Sequence, residues 1–322
     1  MIVRLNPAIC STNLGDQIIV DSINKQMAYL FNENTCIDVS THQPLSLYYI
    51  LSKKISDIFK QKEFSFVLGS NLLESGKSLL KKQWSINRFS AKLLGPAILI
   101  GAGWKSYKEK KSLFTKRYYD LILSHDYIHS VRDSYTEKIL KSIGFNNVVN
   151  TGCPTMWTFT KDFCKTIPTR KAKNVITTVT DYYKDPINDG KMIALLLSEY
   201  DKVYFWTQGS SDYNYLKELD VDLSKIIAIK PNLETYDFFL ENNDVDYVGT
   251  RLHGGIRALQ HGRRSLIVAI DNRADELHSD FNIPVISRKD IDLLPSILNL
   301  PFGTNINIPV NNIKAWKEQF IK

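Results

Sequence analysis

The feature that most constrains this chain is the alternation, through its second half, of short β-branched runs with longer amphipathic segments. Candidate strands fall at residues 174–180, 202–207, 226–229, 246–250, 265–270 and 284–287. Candidate helices fall at 187–199, 212–219, 233–241, 253–261, 274–280 and 291–298. Strands separated by helices long enough to cross back over a sheet specify βαβ units and a parallel sheet. Gly209, Pro231, Gly262 and Pro284 punctuate the joints.

The first half repeats this grammar less clearly. Asp16 is placed to cap a helix running to about residue 31, and strands fit 36–39, 64–68, 97–100, 127–131 and 147–150. The basic stretch 74–88 fits either a solvated helix face or a loop. A polar, proline-bearing linker fits 153–173, and proline and glycine break the chain beyond residue 300 before a short helix at 312–320. A chain of 322 residues suits two domains of roughly 150 residues each. The expectation is α/β: residues 1–152 and 174–300 as two domains facing one another across a cleft, followed by a tail, 301–322.

The 43% hydrophobic and 23% charged fractions are those of a globular protein. A net charge of +7 and a pI near 9.0 call for an anionic partner, whether nucleic acid, an anionic membrane or a phosphorylated small molecule. The basic residues are scattered and no recognised module appears, which argues against nucleic acid. The first residues lack the apolar core of a secretory signal, and the runs at 97–100 and 265–270 fall far short of the roughly 20 residues a membrane span requires. Cys10, Cys36, Cys153 and Cys164 form no C-x-x-C pair, so free thiols are expected rather than a metal site. The expected location is the cytoplasm, and the basic pI suits a loose association with an anionic inner membrane leaflet.

The most informative segment is Asp246-Tyr-Val-Gly-Thr-Arg-Leu-His-Gly-Gly-Ile-Arg-Ala-Leu-Gln-His-Gly262. A strand ends near Thr250 and a helix begins almost at once. Ligands of open α/β sheets sit beyond the carboxyl ends of the strands, where a helix amino terminus favours an anion. Arg251 at that junction can clamp a carboxylate or phosphate. Leu252, Ile256 and Leu259 make a core-facing stripe, while His253, Arg257 and His261 form a second row rotated about 100° from it. Gly254 and Gly255 cost about 1 kcal/mol each in a helix interior, which close approach of a ligand or another backbone would explain. Any one of these residues has an ordinary structural use; the combination at a strand–helix junction marks a candidate site.

Three further segments end on candidate strands or open a helix. In Ser130-Val-Arg-Asp133, Arg132 repeats the strand-end geometry, and Asp133 or Ser134 can cap the next helix. In Asn13-Leu-Gly-Asp16, Gly15 permits a tight turn, and Asp16 caps the helix or touches a substrate hydroxyl. Asp271-Asn-Arg273 places Arg273 to line the same cleft, whereas Arg263-Arg264 reads as a surface pair. Gly101-Ala-Gly103 lacks the G-x-G-x-x-G spacing and any Walker lysine, and no G-x-S-x-G or H-E-x-x-H occurs.

Together, Asn13-Leu-Gly-Asp16, Gly69-Ser-Asn71, Ser130-Val-Arg-Asp133 and Arg251-Leu-His253 resemble, in order, the motifs of the polysaccharide pyruvyl transferase family, over a span from residue 13 to about 287. The resemblance implies a GT-B-like pair of facing Rossmann-like domains, with the acceptor on the N-terminal side and the donor on the C-terminal side. It implies transfer of the enolpyruvyl group of phosphoenolpyruvate onto two hydroxyls of a glycan or lipid-linked glycan, giving a pyruvate ketal, with no cofactor beyond that donor substrate and no metal. Arg132 and Arg251 would grip the donor's carboxylate and phosphate, and His253 would be the acid/base or a further phosphate contact. Asp16 or Asp133 would orient or deprotonate a sugar hydroxyl. Leu252, Gly254, Gly255, Arg257, Asn13, Gly15 and Arg273 complete the substrate-binding set. The chain departs from the pattern at Gly69, where many relatives carry two or three glycines, and at Asp271-Asn-Arg273, where a lysine is frequent. Two other readings fit the same residues: a glycosyltransferase using a nucleotide sugar, and a non-catalytic anion- or glycan-binding protein.

Overall fold

The computed structural model describes residues 1–43, 45–75, 84, 86–105 and 113–321; of the basic stretch 74–88, residues 76–83 and 85 lie outside the described residues. The chain forms two compact units. One comprises Met1–Ser11, Ile19–Trp157 and Pro309–Lys322, the other Thr12–Ile18 and Thr158–Ile308. This division is less contiguous than the sequence suggested. Thr12–Ile18 joins the second unit because Leu14 N–H donates to the Gln208 carbonyl (2.9 Å) and Ser210 N–H to that of Thr12 (3.0 Å). The last segment joins the first unit through the Gln319 side chain, which exchanges two hydrogen bonds with the Ile128 backbone, and through Phe320, packed on Phe64 and Phe66.

Among its described residues the first unit carries six strands: β1 (Ile2–Asn6), β2 (Cys36–Ser40), β3 (Phe64–Leu68), β4 (Ile98–Ile100), β5 (His129–Val131) and β6 (Val148–Asn150). They pair in parallel in the order β2-β1-β3-β4, with β5 and β6 paired beside them. Bridges at Ala97–Leu123 and Ala102–Val131 continue the sheet from β4 to β5. The interior strand β1 was not expected from the sequence. Its residues Ile2, Val3 and Leu5 are all buried, the mark of a strand covered on both faces.

The second unit is clearer. Strands β7 (Asn174–Thr177), β8 (Lys202–Trp206), β9 (Ile226–Ile229), β10 (Val245–Gly249), β11 (Ser265–Ala269) and β12 (Val285–Ser287) form one parallel sheet in the order β12-β11-β10-β7-β8-β9. This is the doubly wound Rossmann order, in which the winding reverses between β7 and β10. Val175, Val203, Phe205, Val248, Leu266 and Val268 supply the sheet side of its core. Arg264 is not the surface residue expected. It is 1% exposed, donates to Asp246 and to the Leu298 and Leu300 carbonyls, and lies 4.0 Å over the Phe302 ring. A buried Asp246 requires a neutralising partner, and Arg264 is in reach.

His129 gives the first unit a pH dependence. Its Nδ1 accepts from the Leu99 amide (3.2 Å), so its proton sits on Nε2, which donates to the Ser124 carbonyl (2.8 Å). Burial pushes its pKa down to about 4, from an ordinary value of 6.5. Protonation therefore favours the unfolded chain: the contribution is complete above pH 6.5 and is lost as pH falls toward 4. Linkage puts the loss at about 3 kcal/mol. Urea unfolding followed between pH 7 and 4 should show that decline, and His129→Gln should flatten it.

Candidate functional site

The reversal of winding brings the ends of β7 and β10 together, and Arg251 stands there. Its backbone N–H donates to Thr178 Oγ1 (3.1 Å), and Thr250 N–H to the Thr178 carbonyl (3.1 Å), which fastens the two strand exits to each other. The guanidinium is 3% exposed. Its Nε donates to Asp212 Oδ2 (2.8 Å), and its Nη2 bonds Asp212 Oδ1 and Asp181 Oδ1, the latter at 2.9 Å. Asp212 also accepts from the Gly209 amide (2.7 Å), and burial pushes its carboxyl above the usual range against the pull of Arg251. A Cβ on Gly209 would lie 2.1 Å from Arg251 Nη2, so only glycine admits the guanidinium here. Arg251 is thus no free two-pronged anion clamp: its Nε–Nη2 edge is committed to carboxylates, and only Nη1 has no hydrogen bond among the described residues.

Beyond Arg251 runs the helix Leu252–Gln260, with Leu252, His253, Gly254 and Gly255 all buried. No side chain among the described residues caps its amino terminus, so the first-turn amides and dipole face the end of the sheet. Gly255 serves packing: a Cβ there would meet Ile267 Cγ1 at 2.5 Å and the Tyr247 ring at 2.8 Å. Gly254 lies beside Gln208, whose Oε1 would be 3.2 Å from an added Cβ.

Gln208, which the sequence did not single out, links this helix to the early motif. Its Nε2 donates to Asn13 Oδ1 (2.9 Å), which also accepts from the Gly15 amide (3.0 Å). Asn13 Oδ1 must act as acceptor to both, which fixes the Gln208 amide orientation. The Gln208 Oε1 is then a buried acceptor with no partner among the described residues. Asn13, not Asp16, caps the helix Leu14–Gln26, because that helix begins at Leu14 and places Asp16, 8% exposed, in its first turn. The Asp16 carboxylate is accordingly not used as the cap.

Arg273 shares its surroundings with Arg251. Tyr182 lies under both guanidinium groups, at 4.8 Å and 5.8 Å, its hydroxyl accepts from Arg273, and Asp271 holds Arg273 from the other side. Arg257 lies elsewhere. It and His261 both bond Asp237 on the helix Leu233–Asn242, tying two helices together. Burial raises the Asp237 carboxyl, but the bonds from Arg257 and His261 outweigh it and hold it at about 2. In the first unit, Arg132 and Asp133 leave β5 as a buried pair. Arg132 donates twice to Asp133 Oδ2 (3.1 and 3.0 Å), while Asp133 Oδ1 caps the helix Ser134–Ser142 through the Thr136 amide (2.7 Å) and hydroxyl (2.6 Å). A carboxylate so engaged and fully buried holds Arg132 in place and caps the helix, the capping use that the sequence allowed for Asp133.

Two Rossmann-like α/β units with strand-end polar sites define a protein of the GT-B class, and solved structures agree. A UDP-GlcNAc 2-epimerase from Neisseria meningitidis aligns over 99% of this chain and 98% of its own, with a TM-score of 0.54 and 12% identity. A putative UDP-N-acetylglucosamine 2-epimerase from Listeria monocytogenes covers 97% and 93%, at TM-score 0.53 and 12% identity. A glycosyltransferase from Rickettsia africae covers 99% and 91%, at TM-score 0.52 and 13% identity. At these identities the likeness concerns fold alone. No curated protein matches the chain significantly. The profile of the polysaccharide pyruvyl transferase family matches residues 13–272, and the chain belongs to that family of transferases.

The Arg251 network predicts a stability effect. Asp212→Ala leaves a buried guanidinium with Asp181 as its only carboxylate among the described residues, and should destabilise the fold by roughly 3–5 kcal/mol. Thermal unfolding would show it as a large fall in Tm, whereas Asp271→Ala, at a more exposed pair, should cost much less.

Proposed function

We propose that the chain transfers the enolpyruvyl group of phosphoenolpyruvate onto two hydroxyls of one sugar in a cell-surface polysaccharide or its precursor, giving a pyruvate ketal and inorganic phosphate. The observation that carries this reading is the uncapped amino terminus of the helix Leu252–Gln260 at the reversal point of the second sheet, inside the span matched by the family. Preorganised backbone amides suit a compact anion and need no rearrangement as it binds. Arg251 contributes through Nη1, and Arg273 completes the cationic side. The neutralising aspartates make the site less positive than its arginines alone suggest, which places more of the donor's recognition on the amides and on His253.

The chemistry begins with protonation of the methylene carbon of phosphoenolpyruvate. His253, in the first turn of that helix, is the proton donor in this scheme. Protonation leaves cationic character at C2, which one sugar hydroxyl attacks. The C–O bond to phosphate then breaks, the second hydroxyl closes the ring at C2, and the hydroxyl protons end on the histidine and the departing phosphate. The buried Gln208 Oε1 suits acceptance of a hydrogen bond from a hydroxyl. Asp16, in the first turn of the helix that Asn13 caps, is the carboxylate that orients a sugar hydroxyl in this scheme, while Asp133 holds Arg132. No step requires a cofactor or a metal.

Ligand-induced thermal stabilisation tests the donor. Phosphoenolpyruvate at about 100 times its Kd should stabilise the chain by roughly 2.7 kcal/mol, with UDP, CMP and GDP giving no shift. His253→Asn is the informative control, since Arg251→Ala strands the buried Asp212 and risks unfolding. A shift with phosphoenolpyruvate that His253→Asn reduces supports the reading. A shift with a nucleotide alone overturns it in favour of a nucleotide-sugar enzyme, the ligand class named for the Neisseria meningitidis structure, bound to UDP-GlcNAc.

A further inference from the structure

Three short helices of the first unit, Leu47–Leu51, Lys53–Lys60 and Arg88–Leu94, pack against one another. Their inner residues Phe59, Ala91 and Leu94 are buried in the core of that unit. Outer helix faces are ordinarily polar. Here they carry Tyr48, Leu51 and Phe89 at 71%, 73% and 68% exposure, with Tyr49 and Ile58 less exposed beside them. Basic residues are interleaved with these. Lys54 and Ile58 stand four residues apart on one helix, and Arg88, Phe89 and Lys92 share a face of another, while Phe59, Ser90 and Ala91 turn inward. Lys53, Lys54, Arg88 and Lys92 are exposed, and none makes an ion pair among the described residues. No helix among the described residues is long and apolar enough to cross a membrane.

We propose that this face seats the protein on an anionic lipid bilayer, with the tyrosines, Leu51 and Phe89 entering the boundary between headgroups and acyl chains and the four cations meeting lipid phosphates. Aromatic and aliphatic groups interleaved with lysine are what an interfacial surface needs: each apolar group gains by burial, and each cation by the negative surface potential. The long lysine stems can lie along the apolar groups while their ammonium ends reach the phosphates. Charge also argues against a second copy as the occupant, since a twofold interface through this face would set like charges against each other. The proposal does not rest on the transfer reaction.

Co-sedimentation of the full chain with vesicles tests it. The protein should pellet with phosphatidylglycerol–phosphatidylcholine vesicles, remain in solution with phosphatidylcholine alone, and be released by high salt. Each cation removed should weaken binding about fivefold, so Lys54→Gln/Lys92→Gln together should weaken it about 25-fold. Leu51→Ser/Phe89→Ser should weaken it as well, with unchanged thermal unfolding in both variants because the altered groups are exposed. Failure of the unaltered chain to pellet with anionic vesicles overturns the proposal, as does pelleting that neither pair of substitutions changes. A dimer in sedimentation equilibrium that Leu51→Ser/Phe89→Ser abolishes, without vesicle binding, overturns it in favour of self-association.

Discussion

The second unit depends on the neutralisation of one buried guanidinium. Arg251 follows β10, yet its partners come from the segment after β7 (Asp181) and the start of the helix after β8 (Asp212). Desolvating a charge costs several kcal/mol unless hydrogen bonds replace the lost water, so the three strand exits are held in one arrangement wherever Arg251 is buried. Gly209 leaves the space, Thr178 fastens the neighbouring backbone, and Tyr182 covers the planar face. A pair of this kind adds little net stability over apolar packing. Its effect is to fix geometry, and the geometry it fixes is the approach to an uncapped helix terminus.

That arrangement changes how the basic character of the chain is understood. A net charge of +7 suggests arginines waiting for an anion. Yet Arg251, Arg257, Arg264 and Arg273 are each bound to aspartate, and Arg132 to its neighbour Asp133. The excess positive charge therefore lies elsewhere, and part of it flanks the exposed apolar groups of the helices Lys53–Lys60 and Arg88–Leu94. The strand-end site is polar and preorganised more than it is strongly cationic. Under the proposed function such a site would discriminate by shape and hydrogen-bond direction, with the amides as donors and Gln208 Oε1 as an acceptor.

Much of the fold was legible because period and punctuation act locally. Strands β7 to β12 sit within two residues of their expected bounds at either end, apart from β7, which stops at Thr177. The continuous apolar runs of buried parallel strands announce themselves, and the helices between them have clear caps such as Asp185 and Asn232. β1 was missed because five residues at a chain end show no alternation and no preceding turn. The candidate site was legible only in part. Arg251, His253 and Arg273 stand out from strand-exit position, but their partners are set by tertiary structure: Asp212 is 39 residues from Arg251, and Gln208 is 195 from Asn13. The same distance effect misled the reading of Arg257 and Arg264, whose carboxylate partners lie on other elements. Asp133 was foreseen as a cap, since capping is a matter of three residues.

The proposed transfer of an enolpyruvyl group to a sugar is measured most directly through its product. The purified chain would be incubated with phosphoenolpyruvate and a panel of nucleotide- and lipid-linked sugars, following phosphate release and the mass of each acceptor. One acceptor should gain a pyruvate ketal with one phosphate released per ketal formed, and neither should be seen with His253→Asn. Consumption of a nucleotide sugar with phosphoenolpyruvate left intact would contradict it.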